Sequence, residues 1–418
     1  MKKNGFTLVE ITVCVVLLVT IFLIVVPKVN TMINNKKKNA YNSLISAVKD
    51  AAQAYVYLNV NIVDDAIESQ GYYEVSIRTL QENELLENKL ENPLTGKNIP
   101  STSIVKIIKN NEEYIYKFSL DYQYLLEHII DLYSSEETRT SNGLKKDNTE
   151  DKNIRYYGSD PNNYVSFNNE LWRIIGVFGN NVKLVRKDSL GSLSWDSSES
   201  SINGGFGVNE WSQADLKNYL NTMYYGGTTV TCYDGTKNST TTCPTNILDN
   251  TAKTLIDNHT WNTGAIEYNT RTDTVAFYKD ERGNQTGKIC NGGTFCSDTV
   301  ERTTTWTGYI GLPYPTDYAY ASGENICETN MVKQDSSDAY ICENNNWMFK
   351  SIWYWTLSPF ARSANSRYVW YVNGDGDVNN SNAASGGAVF PAIYLKSNVL
   401  IESGAGTSSN PYILKAGS

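Results

Sequence analysis

The chain has 418 residues and a formal charge of −9, with 19% charged residues. That length suits two or three domains, and an acidic balance with no clustered basic face downstream argues against nucleic acid as the main partner. Two histidines, His128 and His259, leave little for zinc or Ser/His/Asp chemistry, while abundant Tyr, Asn, Thr, Ser and Gly read as a β-rich extracellular protein.

The chain starts "MKKNGFTLVEITVCVVLLVTIFLIVVPKVN". From Phe6 to Val26 every residue is apolar or small and uncharged except Glu10. As a helix this run would reach roughly 30 Å, enough to cross the hydrocarbon of a bilayer. A carboxylate there costs on the order of 3 kcal/mol, so it needs a reason. A secretory signal would carry a small-residue cleavage site after the apolar core; here Lys2, Lys3 and Gly5 all precede it. Cys14, inside the span, reads as a small hydrophobe.

"KKNGFTLVEITV" resembles the leader of type IV prepilins and pseudopilins, a short basic leader ending in glycine and followed by Phe-Thr-Leu-Val-Glu. The resemblance covers about the first 30 residues. It implies cleavage between Gly5 and Phe6 by a prepilin peptidase and N-methylation of Phe6. It also implies that Glu10, one helical turn from the new amino terminus, meets the terminus of a neighbouring subunit during assembly. A buried charge that needs a partner fixes register, because misplaced packing leaves it unpaired. Pro27 stands where pilins bend their long helix. Lys28 and Lys36 to Lys38 outnumber Lys2 and Lys3, so the positive-inside rule taken alone would keep the bulk of the chain in the cytoplasm. The leader and the downstream cysteines outweigh it, and the expected location is the bacterial cell membrane, single-pass, with the C-terminal bulk outside.

The helix is expected to run over about 6–58, since Tyr41, Leu44, Ile45, Val48, Ala52 and Tyr55 form an amphipathic stripe suited to a small sheet. After it come a short strand or turn, a short helix and a Pro/Gly loop. "SIVKIIK" and "EEYIYKFSL" then predict a hairpin turning at Asn110-Asn111. "LDYQYLLEHIIDLY" predicts a second helix that closes a pilin-like domain over 6–133, and the polar run 134–153 reads as a linker.

Residues 154–418 form the expected second domain. "ELWRIIGVFGNNVKLVRKD" predicts a hairpin around Gly179-Asn180-Asn181, and Ser212 is placed to cap a helix from Gln213. Six cysteines fall in local pairs, Cys232 and Cys243, Cys290 and Cys296, Cys327 and Cys342. None has CxxC spacing, so structural disulfides are expected, with 15 connectivities open.

"WYWTLSPFARSANSRYVWYVNGDGDVNNSNAASGGAVFPAIYLKSNVLI" resembles the terminal part of C-type-lectin-like folds of the formylglycine-generating-enzyme kind, with Phe390 where that group carries arginine. The expected fold class is therefore α+β: a long pilin-type helix with a small antiparallel sheet, then a larger β-rich C-type-lectin-like domain. No motif carries over a catalytic residue, so no enzyme activity is expected. Asn373, Asp375, Asp377 and Asn379 are spaced as in calcium loops, but Ala384 holds the place of the EF-hand glutamate. The other reading is a hairpin turn in which Gly374 or Gly376 supplies positive φ. Trp353, Tyr354, Trp355, Trp370 and Tyr371 divide between core and a stacking platform. Arg362, Asn365, Arg367, Asn379, Asn380 and Asn382 are the candidate ligand surface for a glycan or surface protein.

The expected function is that of a minor pilin-like subunit displaying a large adhesive domain. Its partners would be the peptidase, other pilin-like subunits, the assembly machinery and the membrane. The alternative is an anchored surface-binding protein that never enters a filament.

Overall fold

The computed structural model describes residues 36, 39–41, 43–93, 98–110, 113–118, 123–199, 204–267, 273–283, 303–332, 342–361 and 366–417. The chain forms two compact units, Met1–Gln123 and Tyr124–Ser418. Among the described residues no helix is long and apolar enough to cross a membrane. The expected span, with Gly5, Phe6, Glu10, Cys14 and Pro27, lies outside them.

In the smaller unit residues 43–58 are helical. The predicted stripe points inward: Val48, Ala52 and Tyr55 are buried together with Val75, Ile77, Val105 and Ile107 of the elements opposite. Each fully buried aliphatic side chain contributes about 1.5–3 kcal/mol to that core. The helix stops where the Asn59 side chain donates back to the Tyr55 carbonyl (2.9 Å). A second helix, Val60–Gln70, ends on Gly71 at φ 85°. Three antiparallel strands follow the order Tyr73–Ser76, Ile104–Asn110, Glu113–Phe118. The predicted hairpin is present, with Asn110 opposite Glu113. Ser76 caps the short helix Ile77–Glu82 by accepting from the Thr79 amide.

The larger unit is mostly strands. Glu170–Phe178 and Asn181–Arg186 form the predicted hairpin, closed by Phe178 opposite Asn181 and turned by Gly179 at φ 56°. They lie inside a ten-stranded sheet. On one side Ala392–Leu395 joins Asn181–Arg186; on the other, Tyr164–Phe167 pairs Glu170–Phe178 and is followed by Tyr412–Ala416 and Val399–Ser403. A six-stranded sheet has the path Ser192–Ser194, Gly386–Ala388, Tyr354–Ala361, Tyr368–Val372, Val378–Asn382, with Ile266–Glu267 parallel to Tyr354–Ala361. The core between these elements buries Trp172, Trp195, Trp211, Trp261, Trp355 and Trp370 completely.

Three sequence expectations change here. The helix Leu125–Ser134 belongs to the larger unit, since Leu125, Leu126 and Ile129 enter its core. The expected linker 134–153 is folded: it holds the helix Glu136–Ser141 and the strand Leu144–Lys146, which pairs with Ile154–Tyr156. Its polar composition misleads because the polar groups serve each other. Buried Asp147 accepts from Thr149 Oγ1 (2.6 Å), Asn153 Nδ2 (3.0 Å) and Arg155 Nε (2.9 Å). Ser212 is not the cap expected. Glu210 accepts from the Ser212 amide, a 3₁₀ turn covers Trp211–Gln213, and the helix starts at Asp215. Trp211, buried against Trp195 at 5.1 Å between ring centres, fixes that early turn.

Candidate functional site

The predicted ligand residues meet around the edge hairpin Tyr368–Val372 and Val378–Asn382, where strand alternation sorts them. Asn379 lies opposite Tyr371, Asn380 opposite Trp370 and Asn382 opposite Tyr368. One face therefore carries Asn379 and Tyr371; the other carries Asn380 and Asn382 with Tyr368 and Trp370. The surface expected as continuous is divided in two. Arg362 and Asn365 lie outside the described residues.

Three of the five aromatic residues enter the core, and Tyr354 and Trp355 do so as neighbours because their strand is buried on both faces. Trp355 is buried and donates through Nε1 to the Leu193 carbonyl (3.0 Å). Buried Trp370 packs between Phe277 and Phe360, at 5.0 and 4.8 Å. Tyr354 is buried and donates to the Met348 carbonyl (3.1 Å). Trp353 and Tyr371 stay half-exposed, 5.1 Å apart at a steep edge-to-face angle. They form a small aromatic platform beside Asn379.

On the other face the Arg367 guanidinium lies over Phe206 (4.5 Å) and donates to the Tyr368 hydroxyl (3.1 Å). Its Nε is buried without a hydrogen-bond partner, and so is Oδ1 of Asn382. The two residues are held close, because the Ala383 amide donates to the Arg367 carbonyl.

The turn Asn373–Asn379 is a hydrogen-bonded hairpin end. The Asn373 amide side chain donates to Asp377 Oδ1 (2.9 Å), the Asn373 backbone amide donates to the Asp377 carbonyl (2.7 Å), and Gly376, not Gly374, takes positive φ, at 93°. Among the described residues no group of three His, Cys, Asp or Glu side chains has the geometry to hold a metal ion.

Among the described residues two disulfides are present, Cys232–Cys243 and Cys327–Cys342. Cys290 and Cys296 lie outside the described residues. His128 donates to or accepts from the Tyr412 hydroxyl (2.9 Å), and burial pushes its imidazole down to about 4. His259 stacks on Tyr394 at 3.7 Å with Asp257 Oδ2 3.1 Å from Nδ1. Burial lowers its pKa even against that carboxylate.

Sequence reasoning missed a buried charge centre. Asp317, fully buried in the helix Pro315–Ala321, accepts from Arg155 Nη1 (2.6 Å), Lys183 Nζ (2.6 Å) and the Tyr314 amide (2.9 Å). Burial alone would raise its carboxyl, but Lys183 and Arg155 hold it below the ordinary value. Lys183 sits 4.0 Å from the ring centre of Tyr314, and burial draws it down to about 8. Nearby Glu281 is raised by burial to about 7. A carboxylate saturated by two cations and an amide is a poor electrophile and a weak base, so the centre is a structural clasp. The one sequence signal was a lysine inside the apolar strand "NVKLVR".

Comparison with known protein families, curated proteins and solved structures gives no match to this chain.

Proposed function

We propose that the chain is a pilin-like or pseudopilin-like subunit, a minor component that carries a C-type-lectin-like display domain outside the cell. The observation that carries this reading is Glu10, four residues after Phe6 in an otherwise uncharged apolar run headed by Lys2, Lys3 and Gly5. Removal of the first five residues creates an amine at Phe6, and that amine on an adjacent protomer neutralises Glu10 as the span leaves lipid. The proposed partners are a prepilin peptidase, other pilin-like subunits and the membrane. The bulk of the larger unit suits a tip position better than a repeating shaft.

The ligand surface proposed for the display domain is the Trp353–Tyr371 platform with Asn379 on the same face, which suits a glycan. Mass spectrometry of the mature N-terminus tests the first part: methylated Phe6 is expected, and a retained Met1–Gly5 segment overturns it. Glu10→Ala is expected to leave the subunit in the membrane and out of filaments. A glycan array and a cell-adhesion assay, both blank for the purified protein, would remove the display reading.

A further inference from the structure

A second site lies away from the edge hairpin. Arg173, Arg186, Lys187 and Lys350 line one small cavity whose walls include Trp347 and Phe390, and no carboxylate lines it. The cavity offers about 10 Å³, about the room that one water molecule needs. That size excludes a sugar ring and admits a single small ion.

The four cations are not equally neutralised. Arg186 is held by Glu170, at 2.8 Å through Nε and 3.1 Å through Nη2. Arg173 spends its donors on the Asn163 side chain, the Tyr164 hydroxyl, the Pro161 carbonyl and Asp160, whose carboxylate is 61% exposed and outside the cavity, so it gives the cavity its charge rather than a free hydrogen bond. Lys187 lies 3.6 Å from Asp188, a pair open to solvent. Lys350 has no hydrogen-bond or ion-pair partner among the described residues; its ammonium lies 5.5 Å from the centre of the Phe390 ring. Burial, then the like charges of Arg173 and Lys187, push its ammonium down to about 8, against a weaker opposite pull from Asp188.

We propose that this cavity binds a small monovalent anion, a halide or one end of a carboxylate, on the Lys350 ammonium in the positive field of Arg173 and Lys187. Arg173 stands on the strand Glu170–Phe178 of the ten-stranded sheet, and Lys350 leads into Tyr354–Ala361 of the six-stranded sheet. The bound ion therefore bridges the two sheets and stabilises the larger unit by an amount that rises with the logarithm of its concentration once that exceeds Kd.

The test is thermal unfolding of the full chain in detergent, followed by tryptophan fluorescence, in sodium chloride, sodium acetate and sodium methanesulfonate at one ionic strength. Chloride or acetate is expected to raise the melting temperature by several degrees over the bulkier methanesulfonate, and whichever does so identifies the ligand. Lys350→Met is expected to abolish that increment, and the more exposed Lys187→Met to reduce it. Equal melting temperatures in all three salts, or an increment that survives in both variants, would overturn the proposal.

Discussion

Asp317→Asn tests the buried clasp most directly. The substitution keeps the shape and removes one negative charge that faces Arg155 and Lys183, each at 2.6 Å and all three side chains at most 1% exposed. Arg155 retains Asp147 at 2.9 Å. Lys183 keeps no adjacent carboxylate, and being already drawn to about 8 it sheds its proton inside the protein. Breaking a buried pair by removing one partner costs about 3–5 kcal/mol, and the deprotonation route places the Asn variant near the lower end. Asp317→Ala also loses the acceptor for the Tyr314 amide, a capping interaction of about 1 kcal/mol, and belongs near the upper end. All nine tryptophans lie between Trp172 and Trp370, so urea unfolding followed by their fluorescence reports on the larger unit alone. A double-mutant cycle with Lys183→Met should give a coupling of about 2 kcal/mol, because that variant removes the amine whose deprotonation makes up the cost of the Asn substitution. A single-variant loss under about 1 kcal/mol, or additivity within about 0.5 kcal/mol, would refute the clasp.

Two pH responses should run in opposite directions. Glu281 holds its proton in the folded chain until about pH 7 but releases it near 4.5 when unfolded, so stability falls as pH rises across that window, by about 3 kcal/mol. Glu281→Gln should remove this slope and be the more stable form at pH 8 by urea midpoint. His128 stays neutral in the folded chain down to about 4 against 6.5 unfolded, so stability is lost as pH falls through 6.5 toward 4, again by about 3 kcal/mol. His128→Gln should flatten that loss, and because the windows overlap, each single variant should expose the slope of the other group. Reduction of Cys232–Cys243 and Cys327–Cys342, which close separations of 11 and 15 residues, should each cost about 3 kcal/mol. An unchanged urea midpoint in reductant would contradict this.

What was legible in the sequence was local. Gly179 with Asn180 and Asn181 announced a hairpin, the stripe ending at Tyr55 announced a buried helix face, and two cysteine pairs were found as neighbours. What was not legible depended on distant partners. Asp317 meets Arg155 and Lys183 across 162 and 134 residues, and no local pattern marks such a meeting. The misread linker fails for a related reason: Asp147, Thr149 and Asn153 look solvated by composition, yet they are buried because they satisfy one another and Arg155. The ligand residues were named as one surface although they alternate along Val378–Asn382, and only the register with Tyr368–Val372 reveals which neighbours share a face.

Tyr412–Ala416 is inserted between Tyr164–Phe167, which it joins in parallel, and Val399–Ser403. Synthesis must therefore reach these late residues before the principal sheet can knit together. The short cystine loops need no such wait. Each closes within a local stretch of chain that is complete well before that seam can form.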